Sequence, residues 1–373
     1  MKIGLVLPYN ISKGGGVKEI VFALQSGLIA NGHDAVIITP RPLGADKPIK
    51  GVIFLGSAAD LKSPLATTSQ ISASIDTDQI DELLEREQFD ILHFHEPWVP
   101  MMSRQLLSRS NCVNVATFHA KLPETVVSRS FIKIVTPYTR SILKYIHEST
   151  AVSEAALEYV QSMTNKPVSI IPNGIDLRQF HAPRHRPENK IKKILYVGRL
   201  EKRKGVNHLI ASFAILHKFQ PETSLIIAGD GVDRQKLEEQ VYELGLQKSV
   251  TFMGYVSETQ KKKLLHDADL FCSPALFGES FGIVLLEAMA SGLVTVAGNN
   301  PGYASVLTGL ASLSLVDPKD HDEVANRIRL LLNENQLRKL WLAWAKKTIT
   351  QYDWPIVVKQ YEAVYETALA KHA

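Results

Sequence analysis

The sequence predicts an α/β protein of two doubly wound domains, and three observations carry that prediction. Short apolar runs alternate with amphipathic stretches along the chain, the mark of parallel β-α units. A polar, proline-bearing segment at 181–189, HAPRHRPEN, interrupts the alternation and reads as a linker, after which the pattern restarts. The length of 373 residues suits two domains of ordinary size.

In the first half, strands are predicted at Ile3–Leu7, Ala35–Thr39, Gly51–Leu55, Ile91–Phe94, Val113–Phe118, Ser149–Val152 and Val168–Ile171. Helices are predicted near Val17–Asn31, Asp78–Glu87, Pro100–Ser108, Ile134–Ile146 and Glu154–Met163. In the second half, strands fall at Lys193–Val197, Ser224–Ala228, Val250–Met253, Leu270–Ser273 and Val294–Ala297. Helices fall near Gly205–Phe219, Arg234–Glu243, Glu258–His266 and Phe281–Ala290. The tail is helical from Asp320, broken at Trp354-Pro355, with a last helix over Ile356–Ala370. The domains are therefore read as 1–180 and 193–352, with a linker at 181–192 and a terminal helix at 353–373. Ligands of such sheets bind at the carboxyl ends of the strands, so the site is expected in a cleft between the domains.

Composition narrows the function. Hydrophobic residues make up 45% and charged residues 21%, as in folded globular proteins. A formal charge of +4 is too small to argue for nucleic acid. Cys112 and Cys272 are the only cysteines and read as buried thiols in a reducing compartment. No run is long and apolar enough to span a bilayer. The short first strand is no signal peptide, so a cytoplasmic protein is expected, with attachment to a membrane surface left open.

The most informative segment is Phe277–Gly292. It sets Glu279 and Glu287 eight residues apart around the start of an apolar helix, with Ser280 as N-cap and Gly292 as the stop. The free amides near Phe281, Gly282 and Ile283 suit a phosphate, and Gly282 permits close approach. Two carboxylates beside anion-binding amides suit a phosphorylated polyhydroxyl ligand such as a nucleotide sugar. Arg199 and Lys204 follow the first strand of the second domain, where two cations can hold a diphosphate. Gly229 and Asp230 end the next strand. Gly14, Gly15 and Gly16 open the first helix, either as a phosphate-contacting loop or as an ordinary tight turn.

His93, His95 and Glu96 end a strand, with His93 and His95 on one face and Phe94 on the other. Zinc needs further ligands, so hydrogen-bonded histidines are the reading adopted. His119 ends another strand, either facing the cleft or satisfied by a carbonyl. Asp76-Thr77-Asp78 reads as helix capping. Asp267-Ala268-Asp269 precedes a strand, and neither acidic triplet is assigned a metal. Pro172-Asn173-Gly174-Ile175-Asp176 reads as a turn.

Together these motifs, nearly the whole chain in order, resemble the retaining glycosyltransferases of family 4, which have the GT-B fold. Pro8-Tyr9, His95-Glu96-Pro97 and Thr117-Phe118-His119 look most like phosphatidylinositol mannosyltransferases. The resemblance implies Arg199 and Lys204 on the donor diphosphate, Glu279 by the donor sugar and Glu287 on the ribose. It implies contacts to phosphate and sugar from Gly15, Gly16, Gly229, Asp230, Ser280, Phe281, Gly282 and Ile283. It places His119 by the reacting sugar, with Tyr9 and Lys18 on the acceptor, and brings the last helix back onto the first domain. No tightly bound cofactor is implied; GDP-mannose or UDP-glucose is substrate, with Mg2+ accompanying the diphosphate. The expected location is peripheral, at the inner face of the plasma membrane, with a lipid or glycolipid acceptor and an anionic surface as partners.

Two departures stand out: Lys18 replaces a glutamine, and Asp76–Glu87 is acidic where the relatives are basic. A second basic stretch with Lys121, Arg129, Lys133, Arg140 and Lys144, interleaved with Val126, Val127, Phe131, Ile132, Ile142 and Leu143, fits a membrane surface or a helix packed on its own domain. The competing readings are a family-4 transferase with a soluble acceptor and a non-catalytic sugar-nucleotide binder.

Overall fold

The computed structural model describes residues 1–11, 16–42, 48–62, 68–74, 76–120, 136–180 and 190–372; of 57–62 and 68–74 only the backbone is described. The chain forms two compact units, Met1–Gly174 with Trp354–Ala373, and Ile175–Asp353.

The first unit runs β1 (Lys2–Val6), α1 (Gly16–Ala30), β2 (Asp34–Arg41), β3 (Val52–Lys62), β4 (Thr68–Ser74), α2 (Thr77–Glu87), β5 (Ile91–His95), α3 (Met102–Arg109), β6 (Val113–Phe118), α4 (136–143), β7 (Glu148–Ala151), α5 (Glu154–Gln161) and β8 (Val168–Ile170). Its sheet has the order β4-β3-β2-β1-β5-β6-β7-β8, parallel except for β4 against β3. Strand alternation sorts the side chains between two layers. Val6, Ile38, Leu92, Phe94 and Phe118 pack with Ile80, Leu83, Leu106 and Ile142 on one face. Ile3, Leu5, Ile37 and Val115 pack on the other with Val21, Leu24 and Leu28 of α1.

That second layer is completed by the end of the chain. The terminal helix Trp354–His372 buries Val357, Val358, Tyr361, Tyr365 and Ala368 in it, with each valine worth roughly 1.5–3 kcal/mol. Gly27 of α1 admits it: a Cβ there would stand 2.4 Å from Val358 Cγ2. Pro355 lies in the helix's first turn, where its missing N–H costs nothing, so Trp354-Pro355 starts this helix.

The second unit runs β9 (Lys192–Val197), α6 (Val206–Phe219), β10 (Thr223–Ala228), α7 (Arg234–Glu243), β11 (Val250–Gly254), α8 (Glu258–Asp267), β12 (Leu270–Ser273), α9 (Ile283–Ala290), β13 (Val294–Gly298), α10 (Pro301–Ala304), β14 (Leu315–Val316), α11 (His321–Asn333) and α12 (Asn335–Thr348). Its parallel sheet has the order β11-β10-β9-β12-β13-β14. Relative to the sequence reading, β4 and β14 are additional. The unit boundary falls at Gly174 rather than 180, because Ile175 bridges to Asp353 and its amide bonds the Tyr352 carbonyl at 2.8 Å. Most of the predicted linker lies outside the described residues.

Candidate active site

Both units place their polar clusters at the carboxyl ends of central strands. In the second, β9 and β12 are neighbours, which brings together residues about 75 apart in sequence. The loop after β9 ends in a 3-10 turn, Lys202–Lys204. Arg203 Nη1 and Lys204 Nζ donate to the same Glu279 oxygen, Oε1, at 2.8 and 2.6 Å. Arg203 and Arg199 also pair with Glu201, each at 3.0 Å. Three cations against two carboxylates leave one positive charge in excess. Burial pulls the Lys204 ammonium below the usual lysine value against the opposing pull of Glu279, and Arg203 adds repulsion. An incoming anion would relieve that strain on the charged form.

The segment after Glu279 differs from the sequence reading. The N-cap of α9 is Gly282, at φ 110°, not Ser280, and the helix begins at Ile283. The helix-end amides are thus those from Ile283 onward. A Cβ on Gly282 would lie 2.7 Å from the Tyr303 ring, so that side of the glycine is filled by a tyrosine rather than open to a ligand. Tyr303 is fixed by a 2.7 Å hydrogen bond with Ser273 at the end of β12. Phe281 is buried and stands edge-on to Tyr352 at 5.8 Å; its side chain belongs to the core. At the other end of α9, Gly292 takes φ 68°, with its amide and that of Leu293 bonding Met289 and Ala288, a Schellman stop.

Glu287 is buried on α9 and accepts from Lys261 Nζ of α8 at 2.6 Å. Lys261 also meets Glu258 at 2.9 Å. Burial pulls this ammonium down, but Glu287 and Glu258 outweigh it and hold it above the usual lysine value. Gly229 is required by packing: at φ 145° its Cβ would stand 1.8 Å from the Gly198 carbonyl oxygen. Asp230 is exposed, accepting from the Gly231 amide at 2.8 Å and facing Arg234 at 3.6 Å.

In the first unit the cluster is neutral in character. His93 Nδ1 meets the Tyr365 hydroxyl and Nε2 the Thr117 hydroxyl, both at 2.7 Å. His95 Nδ1 pairs with His119 Nε2 at 2.9 Å. Burial, with neighbouring imidazoles, pushes His93 down to about 3 and His95 well below the usual range; burial does the same to His119, to about 3. Glu96, at φ 54°, is buried beside them. Its Oε1 accepts the His119 amide at 2.7 Å and its other oxygen accepts from Trp98 Nε1. Burial raises the Glu96 carboxyl to about 7 despite these donors. Asn173 of the predicted turn is buried beside His119. Tyr9 is half-buried after β1, its hydroxyl pushed up by burial and by Glu96. Lys18 is half-buried in the first turn of α1, and Gly16 is that helix's exposed first residue.

Residues 178–348 match the family model Glycosyl transferases group 1, and residues 14–179 match Glycosyltransferase Family 4. A phosphatidyl-myo-inositol mannosyltransferase of Mycolicibacterium smegmatis is 32% identical, covering 98% of this chain and 94% of its own. The chain belongs to glycosyltransferase family 4. The Mycobacterium tuberculosis protein of the same name is 30% identical, covering 100% of the glycosyltransferase and 98% of itself. Among solved structures, sucrose-phosphate synthase from Thermosynechococcus elongatus matches with a TM-score of 0.80 at 20% identity, over 99% of both chains. Anabaena HepE in complex with UDP-glucose matches at 0.76 and 18% identity, over 98% of this chain and 100% of its own. These likenesses show the fold, GT-B.

The other predicted residues of the glycosyltransferase sort as follows. Gly14 and Gly15 lie outside the described residues, as do Lys121, Val126, Val127, Arg129, Phe131, Ile132 and Lys133 of the basic stretch. Ile142 and Leu143 of that stretch are buried in the core of the first unit, not offered outward. Arg140 reaches the Ser162 carbonyl at 3.4 Å, and Lys144 lies over the Tyr145 ring. Among the described residues no helix is long and apolar enough to cross a membrane, and no three His, Cys, Asp or Glu side chains group as a metal site. Asp76 caps α2 by accepting from the Asp78 amide. Asp269 is buried and accepts from the Lys193 amide at 2.9 Å. Cys272 is buried, while Cys112 is half-buried beside Ser110. Sequence reasoning grouped Glu96 with the histidines but gave it no role, and it missed Arg203, Lys261 and Asn173 as members of the clusters.

Proposed function

We propose that this glycosyltransferase moves a hexose, mannose first and glucose next, from a nucleotide diphosphate donor to a membrane lipid or glycolipid acceptor with retention. The observation that carries the donor half is the half-buried Glu279 carboxylate gripped by Arg203 and Lys204, with positive charge to spare. Charge development on the departing diphosphate is the largest electrostatic change in such a reaction, and fixed cations are the means to stabilise it. Lys204, Arg203 and Arg199 would take that part, with the α9 amides from Ile283 onward. Glu279 would lie at the donor sugar and Glu287, steadied by Lys261, at the ribose. The leaving phosphate would take the acceptor proton on the same face of the sugar, which requires no protein nucleophile. Mg2+, where present, would arrive with the diphosphate as part of the substrate.

The acceptor half rests on His119, Tyr9 and Lys18 in the first unit. The similarity to phosphatidyl-myo-inositol mannosyltransferases supports mannose and a lipid acceptor. A second reading, a soluble phosphorylated acceptor, is favoured by three observations: Lys18 has no ion-pair partner among the described residues, α2 is acidic, and Ile142 and Leu143 are committed to the core. Two measurements test the proposal. Thermal shift should show GDP stabilising the protein more than UDP, since a ligand of the native state raises its stability; no shift with either would sink the donor assignment. Sedimentation with vesicles containing phosphatidylinositol should carry the protein down, and its absence would move the acceptor to the soluble class.

A further inference from the structure

Consecutive residues at the end of β5 grip a single residue at the end of β6. His95 holds the His119 ring and Glu96 holds the His119 backbone amide. Both Glu96 oxygens face donors, so the backbone of His119 is fixed from one side by an acceptor that is itself fixed by Trp98. The ring contact has a further property. Both imidazoles are buried, and burial keeps both neutral, so one nitrogen of the pair must donate to the other. The outer nitrogens, His95 Nε2 and His119 Nδ1, are buried and without a well-formed hydrogen bond among the described residues, as is Asn173 Oδ1.

Two proton arrangements are open. The Asn173 side chain acts on the His119 ring as a hydrogen-bond acceptor, favouring a proton there; if His119 donated from Nε2, its Nδ1 would face that acceptor as a bare lone pair, and His95 would bury an N–H with no partner. If His95 donates from Nδ1, His119 carries its proton on Nδ1, and the Asn173 side chain is the acceptor that meets it. Only a lone pair on His95 is then left without a partner. Since unmet buried donors are the costlier failure, the second arrangement wins. We infer that His95 is a positioning residue that donates to His119 Nε2 and fixes His119 in the tautomer presenting Nδ1–H. His119 thereby offers a donor, with Asn173 Oδ1 as an acceptor beside it, and a sugar hydroxyl accepts from one and donates to the other. The assignment of that hydroxyl to a substrate rests on the proposed function; the tautomer does not.

The test uses the full chain. Long-range 1H–15N spectra of 15N-labelled protein, with His119 signals identified by their loss in His119→Gln, should show a neutral ring protonated on Nδ1. His95→Phe should mix the two tautomers. His95→Asn, whose amide N–H replaces the Nδ1 donor, should restore the single form. With GDP-mannose and phosphatidylinositol vesicles, His95→Phe should lower kcat about tenfold to hundredfold with donor KM within twofold and an unchanged melting temperature. In a His119→Gln background, His95→Phe should have no further effect. A wild-type ring protonated on Nε2, a tautomer unmoved by His95→Phe, or additive losses in the double variant would overturn the inference. A locked Nδ1–H ring in a protein that transfers nothing from GDP-mannose would uphold it and remove the proposed donor instead.

Discussion

The two units use similar, mostly parallel sheets to solve opposite electrostatic problems. At the ends of β9 and β12 the second unit gathers Arg199, Arg203 and Lys204 around Glu201 and Glu279. At the ends of β5 and β6 the first unit gathers His93, His95 and His119, all held neutral by burial. Both clusters stand at the carboxyl ends of neighbouring parallel strands, and their side chains differ. A cluster with an unbalanced positive charge suits a diphosphate. A desolvated set of neutral donors and acceptors suits hydroxyl groups, whose hydrogen bonds change little in charge. The fold fixes where a ligand is met, and the residue types at the strand ends decide what kind.

This contrast can be broken by substitution, beginning with the charged cluster. Lys204→Ala should cut turnover by about 10²–10³ and abolish the nucleotide-induced thermal shift, because Arg203 alone remains on Glu279. Glu279→Gln should cut turnover by orders of magnitude while keeping GDP or UDP binding, since it removes a negative charge next to the diphosphate. Steady-state kinetics with calorimetric nucleotide titration separates the two effects; equal loss of binding in both variants would contradict the assigned roles.

In the neutral cluster the largest effect is on stability. The Glu96 carboxyl is raised to about 7 in the folded protein. Between its ordinary value and 7 the native state holds a proton that the unfolded chain has released, so stability falls as pH rises. Relative to Glu96→Gln, wild type should lose about 2–3 kcal/mol between pH 5 and pH 8. Urea unfolding of both proteins at the two pH values measures it, and parallel pH dependences would contradict the burial of an ionisable Glu96.

Smaller effects sharpen the comparison. Glu287→Gln should raise donor KM by about 10- to 100-fold, the scale of one hydrogen bond to a charged group, with kcat nearly kept. Substituting a 2′,3′-dideoxy donor should erase the difference between the variant and wild type. Tyr365→Phe leaves His93 Nδ1 unpaired in the core and should cost about 1–2 kcal/mol, read by chemical denaturation, with nucleotide binding in the second unit unchanged.

Much of this was legible in one dimension. The alternation of apolar runs located the central strands to within a residue or two, because a buried parallel strand must be apolar on both faces. Glu279, Glu287, Arg199 and Lys204 were legible because each follows a strand or brackets a helix start. Others were hidden by their neighbours. Arg203 lies inside Lys202-Arg203-Lys204, and Lys261 inside Lys261-Lys262-Lys263; a run of cations does not say which one turns inward. Asn173 was concealed by Asn-Gly, a turn signal strong enough to explain the residue locally. Ser280 was an apt N-cap by composition, but Gly282 takes φ 110° and caps the helix two residues later, a conformation glycine permits.

The sequence by itself determined the fold class, the two-unit organisation and the identity of the charged motif, since each depends on periodicity and on residues close in the chain. The tertiary structure decided which carboxylate each cation meets, that the terminal helix completes the core of the first unit, and that His95 and Glu96 both hold His119. The pairings between strands among these join residues 23 to 272 positions apart. Burial and charge balance at such separations are set by which strands lie side by side, and local pattern does not record that.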